Sequence, residues 1–399
     1  MRRTALFFIT LIIALANFQF ARAQEPPKLL TVSDLGISYQ FGDSITFQAR
    51  FSLPSPVSEA YLLFRAEGET NTRVLPLTID ADGKSSLRYD MKQGQVRPFA
   101  LIHFQYHVKL QTGEELISEE LFIFYEDNRF PWQTVSAEGL TVHWYAGDVT
   151  FGQAAMDAAQ RGLKRSSELL LVGAAKPIDI YIYASSTDLQ KALEIGGLPF
   201  VSGHASPDLH VALVAIAPSL EQRLEMDRKI PHELAHVITY DLTQERYSHL
   251  PIWFREGIAT QVELAANPDY SRALSMASEQ KNLIPFAELC GSFPPDTGRV
   301  FLAYAESESF TKFLIDKYGQ TGLLALAKSY SDGLDCEQGA QHALGQPLSK
   351  LEMDWRASKL GENAGIIALG NLFPYLAILV VLLVVSLISA LTFKKVPNG

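Results

Sequence analysis

"PHELAH", Pro231 to His236, sets two histidines four residues apart with a glutamate directly after the first, in a chain holding nine histidines among 399 residues. On a helix, His232 and His236 lie one above the other on one face, and Glu233 points beside them. The pentapeptide alone settles nothing, because a helix with two surface histidines spells the same thing. A third ligand at a workable distance is what decides. A glycine and a third histidine three and six positions after His236 would supply one, but Thr239 and Leu242 stand there. The other route is a carboxylate on a second helix.

Nineteen residues separate His236 from Glu256 in "PIWFREGIATQVE", which reads as a helix start with Pro251 near the first turn and apolar Ile252, Trp253, Ile258 and Val262. Helix, loop and antiparallel helix let Glu256 face the two imidazoles. Two histidines and a carboxylate make the donor set of a hydrolytic zinc site, whose fourth position is left to water. Glu233 is then the base that accepts the proton as the zinc-bound water attacks a carbonyl.

Outward from this centre, residues from about Phe151 onward are dominated by helix-length segments: 151–171, 186–194, 219–242, 252–266, 270–281, 300–318, 322–331 and 348–359. Strands are expected at "LTVHWY" (Leu140 to Tyr145), "IDIYIYA" (Ile178 to Ala184) and "HVALVAIAP" (His210 to Pro218). The last of these reads either as an edge strand to which an extended peptide adds, or as an ordinary interior strand. Pro231 is accommodated if the helix proper begins there, or if the preceding "EQRLEMDRK" is a kinked lead-in. Before the boundary at "EDNRFPWQTVSAEG", residues from about Leu29 to Glu126 alternate in short runs broken by turn formers. About seven strands in roughly 100 residues read as a β-sandwich of immunoglobulin or fibronectin type. Its His103 and His107 read as a half-exposed strand face.

The ends differ from this body. Residues 1–23 carry Arg2-Arg3, an apolar run and a closing Ala-Arg-Ala, the pattern of a secretory signal; an uncleaved anchor is the alternative. Residues 366–393 include the uncharged run from Leu372 to Phe393, followed by Lys394-Lys395, and read as one transmembrane helix with residues 394–399 as a cytoplasmic tail. The expected division is signal 1–23, sandwich 24–130, catalytic domain 131–362, span and tail. Removing the signal moves the net charge from −10 to −13, and an acidic exported body argues against nucleic acid as a partner. Cys290 and Cys336 both lie in that exported part, so one disulfide is expected between them, with two free buried thiols as the alternative.

"HELAH" followed at this distance by "WFREG" resembles the gluzincin metallopeptidases, whose third ligand is a glutamate on just such a helix. The spacing is that of the thermolysin type. The resemblance implies that His232, His236 and Glu256 bind zinc and that Glu233 is the catalytic base. "EDNRFPW", "VHWYAGD", "IPHELAHV", "LPIWFREGIA", "LAYAESESFTKFLIDKYG" and "LEMDWR" are similar, in that order, to bacterial membrane-anchored proteins with a peptidase MA-like domain. Through that phrase the resemblance points to Tyr304 as oxyanion donor, a packed core tyrosine being the alternative; His249, His210 and Tyr240 are lesser candidates. Three departures stand out. Thr260 occupies the place of the aspartate that orients a zinc histidine in thermolysin-like enzymes, Arg255 that of the asparagine of the zinc aminopeptidases, and their amine-binding G-x-M-E-N phrase is missing.

The expectation is an α+β protein: an N-terminal sandwich, a mostly helical gluzincin-type domain and one C-terminal span. It would be a cell-membrane zinc metallopeptidase whose bulk lies outside the cytoplasm and acts on peptides or proteins. The competing expectation is a catalytically silent adhesion or scaffold protein that keeps the fold.

Overall fold

The computed structural model describes residues 28–195, 203–362, 372 and 378–385. The expected signal lies outside the described residues, as does most of the expected span. Residues 378–385 are helical, apolar and exposed. Among the described residues no helix is long and apolar enough to cross a membrane.

The chain forms two compact units, Met1–Glu126 and Asp127–Gly399. In the first, strands β1 (Lys28–Leu29), β2 (Val32–Gln40), β3 (Ser44–Phe51), β4 (Val57–Ala66), β5 (Arg73–Pro76), β6 (Lys84–Asp90), β7 (Ala100–Leu110), β8 (Glu115–Ile117) and β9 (Leu121–Tyr125) follow one another. They make two sheets, β1-β8-β7-β4-β5 with β9 on β7, and β2-β3-β6. Alternation buries one face of each: Phe47 of β3 lies 5.5 Å from Phe64 and 5.3 Å from Phe104, ring centre to ring centre, and Phe51 lies 5.0 Å from Tyr106. His103 and His107 point to the other face, opposite Arg65 and Tyr61 of β4.

In the second unit a five-stranded sheet, β10 (Gln133–Ala137), β11 (Leu140–Trp144), β12 (Ile178–Tyr183), β13 (Gly203–Ser206) and β14 (Val211–Ala215), runs in the order β10-β11-β12-β14-β13. The edge reading of "HVALVAIAP" is therefore corrected. β14 is interior, paired in parallel with β12 and antiparallel with β13, and all five of its residues are buried. The end strand on that side is β13, a short segment with no hydrophobic run to announce it. His210 does not belong to the strand: its φ is 55° and it ends the 3-10 turn Pro207–Leu209.

Around the sheet lie α1 (Val149–Leu170), α2 (Ser186–Ile195), α3 (Gln222–Thr243), α4 (Ile252–Val262), α5 (Pro268–Glu279), α6 (Thr297–Ser331), α7 (Cys336–Leu344) and α8 (Leu348–Lys359). α1 and α2 interleave with the strands and α3 to α8 follow them, which makes a mixed α+β arrangement. The expected pair 300–318 and 322–331 is present: α6 is two helical stretches meeting at a kink at Gly319, whose φ of 67° and ψ of −176° are not helical. α7 has no counterpart in the sequence reading. Asp148, Asp296 and Asp335 cap α1, α6 and α7 by accepting the amide hydrogens of Phe151, Arg299 and Gln338.

α3 runs on through Pro231, so the helix does not begin at that residue. The missing N–H would leave the Asp227 carbonyl without its helical donor. That carbonyl instead accepts from the backbone N–H of Leu264, just past α4, at 2.8 Å. α1 packs closely on this point: a Cβ on Gly162 would come within 2.8 Å of Pro231. A Cβ on Gly257 would meet the Ser307 carbonyl at 2.8 Å and overlap the Thr311 hydroxyl, so the glycine after Glu256 lets α4 lie directly on α6. Cys290 and Cys336 are joined as a disulfide, Cα to Cα 6.3 Å.

Candidate metal centre

α3 carries His232, Glu233 and His236; α4 returns antiparallel and brings Glu256 across. Nε2 of His232 is 3.2 Å and Nε2 of His236 3.6 Å from the same Glu256 oxygen. One potential ligand atom from each of the three residues lies within 4.8 Å of the other two, and among the described residues this is the one such group of histidine, cysteine and carboxylate side chains. The side chains are 14%, 11% and 17% exposed, so the site is enclosed but not sealed.

Charge shows what the site favours. Burial opposes ionisation of Glu256, yet His236 and His232 beside it hold its carboxyl well below the usual range. Burial likewise opposes a charged His232, but its hydrogen bonds to Glu256 and Glu263 push it well above an ordinary imidazole. Two imidazoles and an ionised carboxylate converge where positive charge is strongly stabilised, which is the donor chemistry zinc takes. The residues fit the metal.

Glu233 is 6% exposed. Burial raises its pKa, and the two histidines only partly offset that rise, which is the direction a base poised near neutrality needs. It lies against β13: a Cβ on Gly203 would overlap Oε1 and stand 3.0 Å from Cδ. The tyrosine singled out in the sequence, Tyr304 on α6, has its ring centre 6.2 Å from that of His232 and 5.1 Å from that of Phe293. Burial, reinforced by Glu256 and Glu233, holds its phenol well above the usual value, so it stays a neutral O–H donor.

The lesser candidates sit elsewhere. His249 pairs through Nδ1 with the Ser331 carbonyl at 3.1 Å. His210 is buried against Asp241 at 2.9 Å, and Tyr240 packs between the rings of His210 and Tyr247. Two residues that the sequence reading passed over back the histidines. Glu263 accepts from Nδ1 of His232 at 2.9 Å, and the Tyr247 hydroxyl is 3.0 Å from Nδ1 of His236. Glu263 gives His232 a carboxylate partner that Thr260 cannot: seven positions after Glu256, it ends α4 two helical turns further along the same face, a spacing the sequence could have revealed. Its backbone carbonyl is held by Arg165 at 2.8 Å. Nothing local marks Tyr247.

A helix pair presenting this set beside a mixed sheet defines a peptidase-like protein. The chain belongs to the Peptidase MA superfamily, which it matches over residues 158–361. That superfamily is typically metal-dependent, in keeping with the donor set. No curated protein matches the chain. Among solved structures, similarity to OgpA from Akkermansia muciniphila is 17% identity over 27% of this chain and 31% of that one, at a TM-score of 0.22. A myokine structure matches at 9% identity over 25% of this chain and 99% of that one, at 0.20. A carbohydrate-binding module family 56 β-1,3-glucan-binding domain matches at 8% over 23% and 98%, at 0.17. The chain thus spans about a third of OgpA's length.

Proposed function

We propose that the protein is a membrane-anchored, extracytoplasmic zinc metallopeptidase that hydrolyses peptide bonds. The observation that carries this reading is the convergence of His232, His236 and Glu256 within 4.8 Å, with Glu233 buried next to them. Zinc held by these three residues supplies Lewis-acid polarisation of a carbonyl and lowers the pKa of water to about 7.

The chain's own residues supply the rest. Glu233 takes a proton from the attacking water at its carboxylate as the new C–O bond forms. It delivers that proton to the departing amine nitrogen as the C–N bond breaks. The Tyr304 phenol donates its hydrogen to the oxygen on which negative charge develops. β13, the last strand in the order of the described sheet, lies beside Glu233, where an extended substrate chain would run. Anchoring and an extracytoplasmic site rest on the apolar run at 366–393 with its basic flank and on the signal-like residues 1–23. Peptides or proteins are the partners, and the net charge of −10 disfavours nucleic acid.

The test compares the full-length chain with Glu233→Gln for bound zinc and for cleavage of a mixed protein digest. The expected result is one zinc in each and cleavage by the wild type alone. Stoichiometric zinc with no cleavage by either would refute the peptidase reading and favour the silent scaffold.

A further inference from the structure

The two histidines are backed by different chemistry. A neutral imidazole has one N–H and one lone pair, so a histidine that presents Nε2 to a metal carries its hydrogen on Nδ1 and is oriented by whatever accepts it. For His232 that acceptor is the Glu263 carboxylate. For His236 it is the phenol of Tyr247, in the 3-10 turn Gln244–His249 that joins α3 to α4. Over the Tyr247 ring lies the guanidinium of Arg255, its central carbon 5.0 Å from the ring centroid. Arg255 directly precedes Glu256 in the chain. A ring held this way is clamped from its face by a cation–π contact and at its tip by the imidazole.

We propose that Tyr247, clamped by Arg255, is the positioning residue that aims Nε2 of His236 at the metal. The inference rests on the zinc reading above and adds a role for Arg255, the residue that departs from the aminopeptidase pattern. A phenol suits the place for two reasons. Its hydroxyl is a rotor, donating to Nδ1 or accepting from it, so the ring keeps its aim whether the metal is bound or not. It also brings no charge. Glu233, Glu256 and Glu263 already set three carboxylates around a divalent ion, and a fourth would weaken the ion's pull on a carbonyl. Because Arg255 and Glu256 are neighbours on α4, one helix places a ligand and the clamp on the support of another ligand.

The test measures affinity for zinc alone, by competition with a chromophoric chelator, and the visible absorption of the cobalt-substituted protein, on the full-length chain. Tyr247→Phe keeps the ring and removes the hydroxyl; about a 10- to 100-fold loss of zinc affinity is expected, as for lost partners of metal-bound histidines. An altered cobalt spectrum should accompany it, with metal-free thermal unfolding as in the wild type. Arg255→Met should reproduce part of the loss and Arg255→Lys should restore it, because only the lysine keeps a cation over the ring. Wild-type affinity and an unchanged cobalt spectrum in a folded Tyr247→Phe protein would overturn the proposal. If that variant does not fold, equal affinities in Arg255→Met and Arg255→Lys overturn it instead. His236→Ala separates the two readings. Zinc retained at wild-type strength there removes the ligand set itself, whereas zinc lost there but kept in Tyr247→Phe removes only the positioning role.

Discussion

Gly203→Ala is the most incisive single change. β13 is extended at this position, and its backbone accepts an alanine without strain. The added methyl, however, would overlap Oε1 of Glu233 and sit 3.0 Å from Cδ and 3.3 Å from Cγ. A carboxylate at the end of a flexible side chain yields more easily than a sheet, so Glu233 moves by about 1 Å while the fold holds. A misplacement of about 1 Å costs on the order of 100-fold in rate, or about 2.7 kcal/mol of transition-state stabilisation. Glu233 is not a proposed ligand, so zinc content should not change. The assay is kcat/KM on a peptide substrate, with zinc content and melting temperature as controls. A fall of about 100-fold in kcat/KM, carried by kcat and with both controls at wild-type values, is the expected result. Unchanged kcat/KM would show that β13 does not confine Glu233, and lost zinc would show that Glu233 helps to hold the metal.

Two further outcomes concern groups away from the chemistry. Glu306 is fully buried, with one oxygen accepting the Ile284 N–H at 2.9 Å and the other without a hydrogen-bond partner; burial pushes its pKa from 4.5 up to about 8. The folded state therefore holds a proton that the unfolded state releases, so this contribution is complete below pH 4.5 and lost as pH rises through about 8. Urea midpoints should fall across that window in the wild type and less so in Glu306→Gln; parallel curves would show that Glu306 does not carry the effect. The disulfide closes a sequence separation of 46 residues, for which chain entropy gives about 4 kcal/mol. Reduction should lower the urea midpoint accordingly, and an unchanged midpoint would place the stabilisation elsewhere.

Much of the centre was legible because its chemistry is local. His232, Glu233 and His236 fall within one and a half helical turns, and the distance to Glu256 is set by two helices and a loop. The order of strands and helices was legible from the change in hydrophobic period. What failed depends on neighbours in space. "GHAS" has no apolar alternation, and only its pairing with β14 makes it a strand. β14 could not be placed at an edge or in the interior without knowing that partner. α7 is short and has little pattern beyond its Asp335 cap. The continuity of α3 through Pro231 required a donor from 33 residues further along the chain, Leu264.

That last bond works as a checksum on assembly. In an ordinary helix the Asp227 carbonyl would be satisfied within α3, whatever the rest of the chain did. With Pro231 in place it waits for Leu264, whose neighbour Glu263 is the partner of His232. A slip of the α4 segment by one residue would strand the carbonyl, at about 1–3 kcal/mol if it is left buried and unpaired, and at the same step would pull Glu263 away from the imidazole. Correct threading of the second helix and correct backing of the first ligand are therefore verified together, by a residue whose contribution is a hydrogen bond it does not make.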